Sequence, residues 1–198
     1  MNKATVGLCN AMFGKRTYSG TPSALSFTDG AMLPGINSCS ISVTYDEAKL
    51  YGDNVALVDH RSFKEGTMEF KVAQFDDTNY AYLIGATVST ISQSSDKVVQ
   101  YSADDAAPYV CFGMIADGIT LASGDYEEGY TAVWFPKVKF TEGNQDLQTR
   151  GDSTQFNLPQ VTASILADPE TSNEWKEVAT FSTLTAANTW LKGKCGVS

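Results

Sequence analysis

Apolar and polar residues alternate with a period of two at several places along the chain. In "ISVTY", Ile41, Val43 and Tyr45 interleave with Ser42 and Thr44. In "GTMEFKV", Met68, Phe70 and Val72 interleave with Glu69 and Lys71. In "QVTASIL", Val161, Ala163 and Ile165 interleave with Thr162 and Ser164. Successive side chains of a strand point to opposite faces, so each segment predicts a strand with one buried and one polar face. "APYVCFGMIADG" and "TAVWFPKVKF" are more continuously apolar and predict further strands, the second carrying Pro136 at a bulge or an edge. "DKVVQYS" and "EWKEVATFS" add two short ones. The period changes in "DDTNYAYLIG". There Asp76 or Asp77 caps a short helix, Tyr80, Leu83 and Ile84 recur at helical spacing, and Gly85 ends it. "TLTAANTWLKGK" predicts a second helix.

Two stretches read as irregular. The first forty residues carry Gly20, Pro22, Gly30, Pro34 and Gly35, which punctuate regular structure. Residues 52–66, "GDNVALVDHRSFKEG", are bracketed by glycines and read as a loop or a two-stranded excursion. The expected fold is mainly β: a β-sandwich or barrel-like sheet with one or two short flanking helices. The expected organisation is a single domain over residues 1–198, with 1–38 as a loop-rich N-terminal arm. Arg150-Gly151-Asp152 falls in a polar segment between two strands and reads as turn.

Composition narrows the function. Of 198 residues 42% are hydrophobic, enough for a substantial core, and the net charge is −9. An acidic chain is poorly suited to gripping phosphates, which takes clustered Lys and Arg. Cys9, Cys39, Cys111 and Cys195 lack zinc-site spacing, and His60 is the single histidine. Phosphate-loop and nucleophile-elbow motifs are absent. The carboxylate neighbours Asp76-Asp77, Asp104-Asp105 and Glu127-Glu128 would point to opposite faces of a strand. No enzyme activity, cofactor or metal is expected. The N-terminus has no apolar run of secretory length, and no run reaches the ~18 residues of a membrane span, so reduced thiols in a cytosolic product are expected.

Several blocks occur in a specific order: "LYGD" at 50–53, "GTMEFKV" at 66–72, "DAAPYVCFGM" at 105–114, "VWFPKVKF" at 133–140 and "TRGDSTQFNLP" at 149–159. Together they resemble the major tail proteins, or tail tube proteins, of long-tailed, non-contractile bacteriophages of Gram-positive hosts. The resemblance implies a virion structural protein, assembled in the host cytoplasm, whose hexameric rings stack into the tube that conducts DNA into the host cell. Implied partners are further copies of the chain, a tape-measure protein, tail terminator or tail tip proteins, and DNA that passes without specific binding. On that reading, alternation nominates Ser42, Thr44, Glu69, Lys71, Thr162 and Ser164 for the lumen face. The paired acids named above would complete an acidic wall. The 52–66 loop, with Asp53, Asp59, Arg61, Lys64 and Glu65, would join ring to ring, and the loop with Arg150 and Asp152 would touch a neighbouring subunit. The competing expectation is a β-sandwich carbohydrate- or surface-binding module, which would need Trp134, Trp175 and Trp190 in an exposed groove.

Overall fold

The computed structural model describes residues 3–19, 24–52, 55–73, 76–91, 96–122, 125–144, 158 and 160–197. Among them the order is β1 (Lys3–Ser19), β2 (Ala24–Leu33), β3 (Ile36–Gly52), β4 (Val55–Val72), α1 (Asp77–Ile84), β5 (Thr87–Thr90), β6 (Lys97–Gln100), β7 (Tyr109–Ala122), β8 (Asp125–Glu142), β9 (Gln160–Ile165), β10 (Glu177–Phe181) and α2 (Leu184–Cys195). The main sheet is antiparallel and runs β2-β1-β7-β8-β9-β4-β3, with β10 also paired to β8; β5 and β6 form a separate hairpin. The fold is mainly β, with two short flanking helices, as the alternation predicts.

Strand β8 organises the sheet. Residues 130–134 pair with β10, whereas 138–142 pair with β9. Between these halves Pro136 and Lys137 together stand opposite Cys111, a β-bulge. Proline has no N–H to give a ladder, so a bulge is where a central strand tolerates it. The extra residue also reverses parity: Phe135 and Val138 both face the inner core, while Trp134 and Lys139 both face outward.

The sheet curls so that its two ends enclose one core. Ala11, Phe13 and Leu33 from β1 and β2 join Met68, Phe70 and Val72 from β4, Val161, Ala163 and Ile165 from β9, and Tyr80, Leu83 and Ile84 from α1. At its centre the rings of Phe70, Phe112 and Phe140 lie 5.6–5.7 Å apart. Such pairs contribute about 0.5–1.5 kcal/mol each beyond burial of their area. A second core lies on the outer face of β1, β7 and β8, where Met12, Cys111, Ile115, Ala132 and Trp134 meet Ala187, Leu191 and Cys195 of α2. Residues 110–115 of β7 are therefore buried on both faces, which explains the unbroken apolar run "VCFGMI". Helix α1 begins at Asp76, whose carboxylate accepts the Asn79 N–H, and ends at Gly85 in the left-handed conformation (φ 81°).

The N-terminal region corrects the expected loop-rich arm, because both β1 and β2 belong to the main sheet. Gly30, and Gly14 beside it, do not break these strands. A Cβ on Gly14 or Gly30 would stand 2.1 or 2.3 Å from the Cys195 carbonyl oxygen, so glycine lets the end of α2 press against the strands. The Gly30 N–H also donates to the Gly196 carbonyl at 3.1 Å. Asn10 and Asp29, both at positive φ, sit at register shifts that interrupt the period of two.

Candidate functional site

The three strands with the clearest alternation are consecutive neighbours in the sheet, β9-β4-β3, and β8 adjoins them. Their register places the six nominated polar residues on one face. Ser42 lies opposite Thr67, and Thr44 opposite Glu65. Thr67 in turn lies opposite Ser164, Glu69 opposite Thr162, and Lys71 opposite Gln160. The reverse side of the same residues is the core: Met68 opposite Ala163, and Phe70 opposite Val161. All six polar residues are exposed except Thr162, which is half-buried.

Ser38, Ser40, Lys139, Thr141 and Tyr109 also belong to this surface by register. The Tyr109 ring is exposed and carries the ammonium groups of Lys137 and Lys139 at 4.9 and 5.7 Å from its centroid. Sequence reasoning missed these β8 residues because the Pro136 bulge changes which positions point outward. A shallow groove of about 260 Å³ opens beside Ser38, Ser40, Glu69, Lys71 and Gln160. Cys39, at its floor, has its thiol pushed up to about 11 by burial, so it is a poor nucleophile.

The expected acidic wall is not built on this face of one subunit. Its described charges are Glu65 and Glu69 against Lys71, Lys137 and Lys139, in a field of Ser and Thr. Asp76 and Asp77 instead start α1, which packs on the core side. Asp104 and Asp105 lie in the turn before β7, where Asp105 accepts the Ser102 N–H at 2.7 Å. Glu128 sits toward the far end of β8, within 3.4 Å of the Tyr130 hydroxyl.

The described residues of 52–66 are strand and not loop; the two-stranded alternative is the one realised. They form the outer part of a hairpin between β3 and β4 whose pairing runs from Ile36↔Val72 to Gly52↔Val55. The nominated charges divide between its faces. Asp59 and Arg61 lie on one side with Glu47 and Lys49, where Arg61 pairs with Glu47 at 3.0 Å and Asp59 at 3.9 Å. Lys64 occupies a bulge and pairs with Asp46 at 3.5 Å, and Glu65 joins the polar face. Asp53, Arg150 and Asp152 lie outside the described residues. At the hairpin's base Phe63 stacks on Trp175 at 4.5 Å, with the rings 6° from parallel.

The three tryptophans do not form an exposed groove. Trp134 is 3% exposed under α2, Trp175 is stacked on Phe63, and Trp190 packs against Phe181. His60 is exposed on β4 opposite Ala48. No cluster of three or more metal-ligating side chains occurs among the described residues, and no described helix is long and apolar enough to cross a membrane. Searches with protein-family models and among curated proteins find no match to the chain.

Proposed function

We propose that the chain is the structural subunit of a tail tube, in which copies close into hexameric rings and stack around a channel that conducts DNA. The observation that carries this reading is the exposed polar face of β3, β4, β9 and β8 on a sheet whose two ends are unsatisfied. Among the described residues, strands β2 and β3 each have a partner on one side only. Long edges of that kind pair with another chain unless something covers them. Ile41 and Tyr45 on β3 and Met32 on β2 are 39%, 50% and 42% exposed, apolar surface that a second copy would bury. A head-to-tail contact between two different edges closes into a ring when its rotation divides a full turn.

The polar face would then line the channel. Neutral hydroxyls dominate it, so phosphates would meet few fixed partners, and the scattered lysines would give only weak, salt-dependent contacts. The β3–β4 hairpin would reach the next ring and present both signs of charge to it. The test is the mass in solution of concentrated full-length chain by light scattering. The reading requires a species of six copies, or multiples of six, that grows with concentration. A monomer at every concentration up to the solubility limit overturns it.

A further inference from the structure

We propose that Cys111 and Cys195 are a redox staple, forming a disulfide that locks α2 onto the outer face of the sheet when the chain meets an oxidised disulfide. Cys111 projects from β7 toward α2, and Cys195 closes the last turn of α2; both are fully buried in the same cluster. The Cys111 thiol lies 3.9 Å from the Lys194 carbonyl, one residue from its partner cysteine, and the Cys195 thiol lies 3.9 Å from the Met12 carbonyl on the adjacent strand. Both thiols therefore lie at the seam between the end of α2 and the strands β1 and β7. Both press on one glycine: a Cβ at Gly14 would stand 2.9 Å from the Cys111 sulfur and 2.1 Å from the Cys195 carbonyl oxygen. Cys9 packs at the margin of the same cluster from β1, opposite Ile115, whereas Cys39 lies on β3 against the inner core.

The surroundings favour chemistry at Cys111. Burial raises its thiol, but contact with Cys195, the Trp134 indole, the Gly14 N–H and the charge of Arg16 together outweigh burial and lower it. The Trp134 Nε1–H lies buried in the same cluster without a hydrogen-bond partner among the described residues. Cys195 moves the opposite way, held protonated by Cys111 and by burial.

The reaction follows from that asymmetry. Opening of the last turn of α2 frees Cys195 from the contacts that hold its proton. Its thiolate attacks one sulfur of oxidised glutathione, expels one glutathione thiolate and leaves a mixed disulfide. When the turn recloses, the Cys111 thiolate attacks the Cys195 sulfur, forms the intramolecular bond and expels the second glutathione thiolate. The protein loses two protons and two electrons, and the oxidised glutathione becomes two reduced molecules. The reduced pair suits assembly in a reducing cytosol, and the staple suits a particle that works outside it. That biological setting rests on the tail-tube reading, whereas the chemistry is a property of the isolated subunit.

The test is to incubate folded full-length chain with oxidised glutathione, block remaining thiols, and record the intact mass, the non-reduced peptide map and the thermal midpoint. Expected are loss of two hydrogens, one cross-linked peptide pair containing Cys111 and Cys195, free Cys9 and Cys39, and a midpoint raised by roughly 10 °C that returns on reduction. Sub-denaturing urea should accelerate closure, because opening precedes it. Four thiols still reduced at the end of the incubation, a bond involving Cys9 or Cys39, or a persistent glutathione adduct on Cys195 would each overturn the staple. Because the readout uses the subunit alone, its failure is separate from any failure to form rings.

Discussion

Replacing Asp168 with alanine probes the deepest ion pair in the described structure. The Asp168 carboxylate accepts two bonds from Arg16, one from each terminal nitrogen, at 2.5 and 3.1 Å, and the side chains are 1% and 3% exposed. Arg16 also donates to the Pro136 carbonyl at 2.8 Å, so the pair ties β1 to the bulge of β8. Asp168 further caps the short helical turn Pro169–Thr171 through the Glu170 N–H. Asp168→Ala leaves a buried guanidinium over the Phe27 ring, with the Pro136 carbonyl and the Tyr18 hydroxyl as its remaining described hydrogen-bond partners. An uncompensated buried charge costs about 3–5 kcal/mol, and loss of the cap adds about 1 kcal/mol. For a chain of this length each kcal/mol lowers the midpoint by about 2–4 °C, so a fall of roughly 10–20 °C is expected by calorimetry. Replacing both partners with apolar residues, Arg16→Met with Asp168→Leu, should recover at least half of that loss, since the cost lies mainly in the orphaned charge. A shift below about 3 °C for Asp168→Ala, or strict additivity in the double variant, would refute this reasoning.

Phe70→Asp puts a carboxylate at the meeting point of Phe112 and Phe140, at a cost above about 4 kcal/mol, and should abolish the cooperative transition seen by circular dichroism. Gly14→Ala should lower the urea midpoint through its clash with Cys195, whereas Gly193→Ala, with nothing within 4 Å, should raise the midpoint and add about 0.5–1 kcal/mol to the unfolding free energy as α2 gains a better helix former. Alkali should destabilise the fold in two windows. Cys39, ordinarily at 9.0 and raised by burial to about 11, contributes stability that is present below pH 9 and lost as pH rises through 11; Tyr80, raised by burial from 10.0 to about 12, does the same from 10 to 12. Denaturant midpoints measured from pH 8 to 12 should fall across both windows, and Cys39→Ala should flatten the first. Arg61→Glu faces Glu47 and Asp59 on an exposed hairpin, so it should cost the subunit less than about 1 kcal/mol while preventing ring stacking, read by sedimentation.

Much of the sheet was legible because its outer half obeys one rule. On β4 and β9 one face is core and the other solvent, so the period of two separates Glu69 and Thr162 from Phe70 and Val161, while on the edge strand β3 Ile41 and Tyr45 stay exposed. The helices were legible from their ends, Asp76 and Gly85 above all. What escaped has physical causes. Gly14 and Gly30 look like breakers but are close-packing positions against Cys195. Asn10 and Asp29 shift register and hide the alternation of β1 and β2. The Pro136 bulge moved Lys139 to the polar face, and no local rule announces the parity change. The hairpin was obscured because residues 46–49 and 59–65 carry charge on both faces and, apart from half-buried Phe63, are exposed.

The central claim is best tested by cryo-electron microscopy of concentrated full-length chain. The account predicts sixfold rings or stacked tubes around an open channel, with β3, β4 and β9 turned so that Ser42, Glu69, Thr162 and Ser164 face the channel and the β3–β4 hairpin reaches the adjacent ring. Isolated subunits at every concentration, or rings whose channel is lined by α2 while the polar face looks outward, would contradict it.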